Sequence, residues 1–293
     1  MSFLSHLISG VSLGSIYAII ALGYTMVYGI AKMLNFAHGD VIMVGAYVCF
    51  FAVSRYAVPA IPAVLLAAAV CTLLGVFIER LAYKPLRSAP SLAVLITAIG
   101  VSYFLQNSAQ LLWTSNPKVF RSVVGDGSIK LFDGRLSISV NAIVTVAACL
   151  VIMAALTWFT GRTKMGKAMR ACSEDKDAAQ LMGINVNATI SMTFAIGSAL
   201  AAVAGVLLCS AYPTLMPTTG SMPGIKAFTA AVFGGIGSIQ GAMIGGVLLG
   251  VIEIFAKAYI STQLSDAIVF FVLIVVLLVR PAGLFGKRIQ EKV

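Results

Sequence analysis

Charge is what this sequence has least of. Of its 293 residues, 10 are Asp or Glu and 20 are Lys or Arg, so 10% are charged, against about 25% in soluble globular domains. With 60% hydrophobic residues and a mean hydropathy of +1.00, this scarcity excludes an ordinary soluble core and fits a polytopic membrane protein. Histidine is rarer still: only His6 and His38 are present, too few for a metal set. The acids form no pair in an apolar setting and no Ser/His/Asp set is present. The chain is therefore expected to be non-catalytic, with no catalytic residue, no metal ligand and no cofactor of its own. Cys49, Cys71, Cys149, Cys172 and Cys209 lie mostly in apolar runs without metal spacing and read as small buried side chains rather than disulfides. No basic n-region and no clear cleavage site precede the first apolar run, so no removed signal peptide is expected.

What is abundant is apolar sequence in long runs. Eight runs stand out, at about 7–30, 38–54, 58–79, 90–113, 138–160, 187–211, 240–260 and 263–280. Each is predicted as a helix, because only helices and closed barrels satisfy the backbone in lipid and the runs are too long for barrel strands. A ninth segment, 223–237, is apolar but short and ends in Gly234, Gly235 and Gly237; it either crosses as a half-helix or re-enters. The fold class is thus an all-α polytopic membrane protein, with eight long transmembrane helices plus one short or re-entrant helix, in a single domain over 1–293.

The net charge of +10 would suit nucleic acid in a soluble protein. Here the positive-inside rule accounts for it, so the expected partner is membrane lipid and not nucleic acid. Thirteen Lys and Arg fall at Lys32, in the 80–87 loop, in the 161–186 segment and in the tail; seven fall on the other side. The first group is predicted cytoplasmic, with the N-terminus outside and the C-terminus inside, which requires 223–237 to cross. The outer loop 114–138 carries the turn signals Asn116-Pro117 and Gly125-Asp126-Gly127. Its length fits a docking surface for an outer partner or a plain connector equally well.

The polar island 161–186, GRTKMGKAMRACSEDKDAAQLMGINV, holds five Lys and Arg and three Asp and Glu between two apolar runs. A short helix is predicted inside it. Ser173 is the expected N-cap, Glu174 and Asp175 favour the positive end of the helix dipole, and Gly183 is the expected C′ residue. About ten residues are too few for a stable isolated helix, which points to a partner groove. Ala178, Ala179 and Met182 are expected to form its small, smooth face. Gly161-x4-Gly166-Lys167-Ala168 approaches a phosphate-binding loop but lacks the Ser or Thr that holds Mg²⁺ and follows a membrane run instead of a strand.

Three polar interruptions remain. Asn35-Phe36-Ala37-His38-Gly39-Asp40 is either a turn in water or a broken helix lining a pathway. Gln106, Asn107 and Gln110 are expected on one helical face near Ser102 and Tyr103, for interhelical hydrogen bonds or a polar path. Glu253 and Lys257, four residues apart, are expected to form a local ion pair. Asn35, His38, Asp40, Gln106 and Asn107 are the candidate path residues.

Asp177-Ala178-Ala179-x3-Gly183 resembles the EAA loop of bacterial ABC-importer permeases, with Asp in place of the usual Glu and the charge kept. Further matches are Leu34-Asn35-Phe36-Ala37-His38-Gly39-Asp40, Gly45-Ala46-Tyr47, and Phe233-Gly234-Gly235-Ile236-Gly237-Ser238-Ile239-x-Gly241-Ala242. Together they make the chain look like a permease of the branched-chain (Leu/Ile/Val) amino acid ABC importers, of the LivH type, from Gly10 to Gly286. The resemblance implies an ABC-importer permease fold in the bacterial inner membrane and half of a translocation path. It also implies coupling to ATPases through a 174–183 helix carrying Glu174, Asp177, Ala178, Ala179, Met182 and Gly183. The implied partners are a second, LivM-like permease, two ATP-binding subunits that carry the ATP-Mg, and a periplasmic substrate-binding protein. Related permeases import urea, amides or other amino acids. A stand-alone secondary transporter is the alternative from another class.

Overall fold

The computed structural model describes residues 2–87, 89–125, 127–131 and 136–286. Long apolar runs leave the backbone no hydrogen-bond partner in lipid except itself, and helices dominate accordingly. In chain order they are α1 (Ser2–Ala31), α2 (His38–Tyr56), α3 (Ala60–Ile78), α4 (Ser91–Trp113), α5 (Val140–Arg162), α6 (Lys164–Glu174), α7 (Lys176–Leu181), α8 (Val186–Ala211), α9 (Ser221–Gly234), α10 (Ile239–Tyr259) and α11 (Ser265–Val279). A π-helical turn, Glu79–Tyr83, and a 3-10 turn, Lys84–Leu86, extend α3.

Seven helices among the described residues, not eight, are long and apolar enough to span a membrane: α1, α2, α3, α4, α5, α8 and α10. The last predicted run is trimmed at both ends. Leu264 is the N-cap of α11, and Arg280 is extended (φ −137, ψ 89), as the residue before Pro281 prefers. The 15 residues left are about 22 Å long at 1.5 Å per residue, short of the roughly 30 Å hydrocarbon core. Nor is the chain wholly helical. The outer loop supplies β1 (Lys118–Val119), β2 (Ser128–Leu131) and β3 (Leu136–Ser139), and β4 is Thr214–Leu215. β2 and β3 form an antiparallel hairpin, while β1 pairs with β4, Lys118 opposite Leu215. Asp126 of the predicted loop turn and the tail residues Lys287, Arg288 and Lys292 lie outside the described residues.

The centre of the bundle is α1 and α8, whose most apolar stretches are 72% and 78% buried, against 17% for α4 and for α5. The last two therefore present apolar surface to lipid or to a neighbouring subunit. α1 and α10 run antiparallel at backbone contact: a Cβ on Gly14 or Gly250 would sit inside the other helix's backbone, and Gly10 would meet the Val251 Cα at 2.9 Å. Small residues spaced four apart are how membrane helices approach without a hydrophobic driving force. All five cysteines are buried and free, as expected.

The segment 223–237 is observed as α9, which begins earlier, at Ser221, and ends at Gly234; Gly235 and Gly237 follow with φ of +107 and +95. It runs from the end of the bundle where α8 finishes toward the end where α10 begins, preceded by an extended stretch that includes β4. Lys32, the 80–87 turns and α6–α7 gather at one end of the bundle. Lys176 Nζ donates to Ala31 O at 2.8 Å, and Arg87 bonds both Glu79 and Asn187.

Candidate functional site

The polar island folds as two helices rather than one. Thr163 caps α6, its hydroxyl accepting from Gly166 N–H at 2.9 Å. Ser173 is not a cap: it lies inside α6 and its hydroxyl donates to Arg170 O. Glu174 ends that helix. Asp175 breaks the chain (φ −152, ψ 119) and caps α7, its Oδ1 accepting from Asp177 N–H at 2.8 Å and Ala178 N–H at 3.0 Å. Carboxylate outdoes hydroxyl here because Asp175 stands two and three residues before the Asp177 and Ala178 N–H groups in the first turn of α7, and one oxygen accepts from both.

α7 closes as expected. Gly183 has φ +80, Gly183 N–H donates to Gln180 O and Ile184 N–H to Ala179 O, the paired bonds of a Schellman ending. The face it shows differs from the sequence expectation. Ala179 is buried against the bundle at 4% exposure, while Leu181 and Met182 stand 89% and 82% exposed; Asp177 and Ala178 are exposed beside them. Three anchors hold this apolar tip rigidly: the Asp175 cap, the Gly183 ending and the Lys176–Ala31 bond. Partial burial, together with Arg87 and Lys32 nearby, lowers the Lys176 pKa. The partly buried charge therefore costs some stability at neutral pH, and that cost is relieved as pH rises through the lowered pKa.

No side chain sits where a Cβ on Gly183 would go, so its backbone angle alone restricts that position. Gly183→Val is expected to cost about 1–2 kcal/mol of local stability and to fray α7. Gly183→Asn, which tolerates φ > 0, is expected to keep most function. Uptake assays on the two variants check this, and equal activities would show that the α7 ending is unimportant.

The second candidate region is the α1–α2 junction, where the non-helical segment 32–37 is largely buried and is not a turn in water. After Ala31 the chain folds back along α1, so that His38 packs beside Gly23 and its ring lies 4.6 Å from that of Tyr24. That is eight residues, about 12 Å, from the end of α1. Asn35, His38 and Asp40 are all buried. Tyr83 OH donates to Asn35 Oδ1 at 2.9 Å. Asp40 sits in the first turn of α2, where the dipole favours a carboxylate, and accepts from Gln106 Nε2 at 2.9 Å; Gln106 also lies 3.2 Å from Ser221 Oγ. Asn107 does not join them. It is exposed and donates to Tyr103 O on its own helix, so the expected single polar face divides.

A third cluster was only half visible in sequence. Glu253 does pair with Lys257 (2.6 Å), but its Oε1 also accepts from Lys226 at 2.8 Å and its Oε2 from Tyr17 at 2.9 Å; Lys226 in turn reaches Asp266 at 2.6 Å. Ionisable residues inside apolar runs were the signal for it. Lys226 and its partner are 27 positions apart, beyond any local rule. Among the described residues, no group of three or more His, Cys, Asp or Glu is arranged to hold a metal.

Known proteins resemble this chain over nearly its whole length. A family model described as "Branched-chain amino acid transport system / permease component" matches residues 6–277. The high-affinity branched-chain amino acid transport system permease protein LivH of Salmonella typhimurium is 46% identical, over 99% of this chain and 98% of that protein. BraD of Pseudomonas aeruginosa, a permease protein of the same description, is 45% identical over 99% and 98%. A solved structure, PsaBC from Streptococcus pneumoniae in complex with Fab, matches at 14% identity and a TM-score of 0.49, covering 97% and 94% of the two chains. A chain of this membrane architecture, matched by that model from residue 6 to 277, belongs to the permease component family of branched-chain amino acid transport systems.

Proposed function

We propose that the chain is the permease subunit of a binding-protein-dependent ABC importer for branched-chain or related hydrophobic amino acids. It forms half of the translocation path, paired with a second, LivM-like permease. Two ATP-binding subunits carry the ATP-Mg and hydrolyse it; this chain contributes no catalytic group. A periplasmic binding protein delivers the solute to the outer loops, where β1, β2, β3 and β4 make a small structured rim. The chain sits in the bacterial inner membrane with its N-terminus outside and its C-terminus in the cytoplasm, in line with the gathering of basic residues at one end of the bundle.

The observation that carries the coupling role is the exposed Leu181–Met182 tip on a short helix anchored at both ends. A partner groove that grips this tip can push on α1 through Lys176 and Ala31, and from there on the broken segment 32–37, which Tyr83 ties to the turn after α3. Asn35, His38, Asp40 and Gln106 then belong to the hinge of that movement rather than to a water-filled lining, because all but the partly buried Gln106 are sealed inside the chain. Asn107 has no part in it.

The test is uptake into proteoliposomes carrying both permeases and both ATP-binding subunits, with binding protein outside and ATP inside. Leucine, isoleucine or valine is expected to accumulate only when ATP and binding protein are both present. Uptake that persists without either would support the stand-alone secondary transporter, and ATP-driven uptake of urea or an amide in their place would reassign the substrate.

A further inference from the structure

A cavity of about 240 Å³ opens toward the end of the bundle opposite α6 and α7. Its floor is the charged cluster of Tyr17, Lys226, Glu253 and Lys257, and its walls include Leu13, Leu208, Met222 and Pro223. Tyr212, Thr214 and Thr219 stand at its rim. Glu253 and Lys226 are buried (1% and 6% exposed), yet a buried ion pair is weak evidence for stability, since well-packed apolar residues often serve as well. Ionisable groups kept at membrane depth mark solute paths more often than scaffolding.

The cluster also has capacity left over. Among the described residues Lys257 makes one bond, to Glu253, and its side chain is 32% exposed, which leaves two of its three ammonium donors for a carboxylate. Asp266 bonds Lys226 through Oδ1 and is 43% exposed. Two cations and two anions sum to zero, so a net-neutral solute enters without leaving an unbalanced charge, whereas a net anion or cation does not. Apolar walls beside a balanced pair of charges fit one solute class: a dipolar molecule with an aliphatic arm. The cleft, about 240 Å³ and open on one side, has room for a small solute with an aliphatic arm.

We propose that this cavity binds a zwitterionic aliphatic α-amino acid inside the permease, with Lys257 taking the carboxylate, the rim hydroxyls and Glu253 facing the ammonium, and Leu13, Leu208 and Met222 holding the side chain. The site rests on the importer reading above and extends it, since solute selection then lies partly in this subunit and not only in the binding protein.

The test is equilibrium binding of labelled leucine to the purified complex of permeases and ATP-binding subunits, without binding protein. Wild type is expected to bind saturably, and leucinamide, which lacks the carboxylate, is not expected to compete. Lys257→Met is expected to weaken binding at least about tenfold. Met222→Trp, which fills the cavity from a half-exposed position and removes no charge, is expected to weaken it similarly, and size-exclusion profiles report whether each variant stays assembled. Absence of saturable binding up to about 1 mM, or wild-type binding in both variants, overturns the site. Proteoliposome uptake separates the two levels: if wild type imports leucine while the binding results fail, the cavity assignment alone falls. If wild type imports no aliphatic amino acid under any condition, the importer reading falls and takes the site with it.

Discussion

Replacing both Leu181 and Met182 with aspartate is expected to release the ATP-binding subunits from the solubilised complex and to lower ATP-driven uptake by about 30-fold or more. The two side chains, the last residue of α7 and its C-cap, are 89% and 82% exposed. They make no contribution to the permease core, so their loss leaves folding untouched. Apolar anchors that fill a partner's pocket are typically worth about 2 kcal/mol or more each on truncation, and each 1.4 kcal/mol is about tenfold in affinity. Aspartate adds the cost of desolvating a charge to the lost contact. The buried Ala179 behaves oppositely: a larger residue there is expected to damage packing in the permease itself, because its neighbours leave it 4% exposed. Co-purification of the ATP-binding subunits with each variant, at equal permease recovery, distinguishes the two effects. A double aspartate variant that retains both its partners and its uptake would remove α7 from the docking surface.

Truncating Glu253 to alanine has the second largest expected effect, and it is one of stability. Glu253 holds Lys226, Lys257 and Tyr17 together within a bundle where Lys226 is 8% exposed at its side chain. Removing one partner of a buried ion pair leaves an uncompensated charge and typically costs about 3–5 kcal/mol. Asp266 remains as a partner for Lys226, but it is 43% exposed, and Lys257 loses the one partner seen among the described residues. The thermal midpoint of the detergent-solubilised complex is expected to fall clearly in Glu253→Ala. The double variant Lys226→Met, Glu253→Met is expected to recover most of the loss, because it removes both buried charges and fills the space. An unchanged midpoint in Glu253→Ala would mean that water reaches the cluster freely and that it carries no structural burden. This is also why the partly exposed Lys257, rather than Glu253, is the residue to vary when ligand binding is measured.

Much of this architecture could be read from the residues because lipid permits so few backbone solutions. Long apolar runs gave helices at nearly the predicted limits, and the Gly183 ending of α7 followed from the one residue type that adopts φ > 0 freely. What escaped the sequence depended on contacts between distant positions. The break at Asp175 turned on which of two capping residues, Ser173 or Asp175, the tertiary fold would use. The fold-back of 32–37 onto α1 is set by packing against Gly23 and Tyr24, and β1 meets β4 almost a hundred residues away. Lys226 is paired by Glu253 and Asp266, which come from other helices and so leave no local spacing signal. The 106–107 pair shows the limit of spacing on a helix: one position of rotation, about 100°, separates a side chain bonded to Asp40 from one that bonds only its own helix.

The most direct test of the docking assignment is site-specific photocrosslinking in native membranes, with a photoreactive residue at Met182 and a control at Phe104, which is 69% exposed on the apolar flank of α4. An adduct between position 182 and an ATP-binding subunit, absent from position 104, is the expected result. Adducts from position 182 to lipid alone, or none at all, would contradict the coupling role of α7.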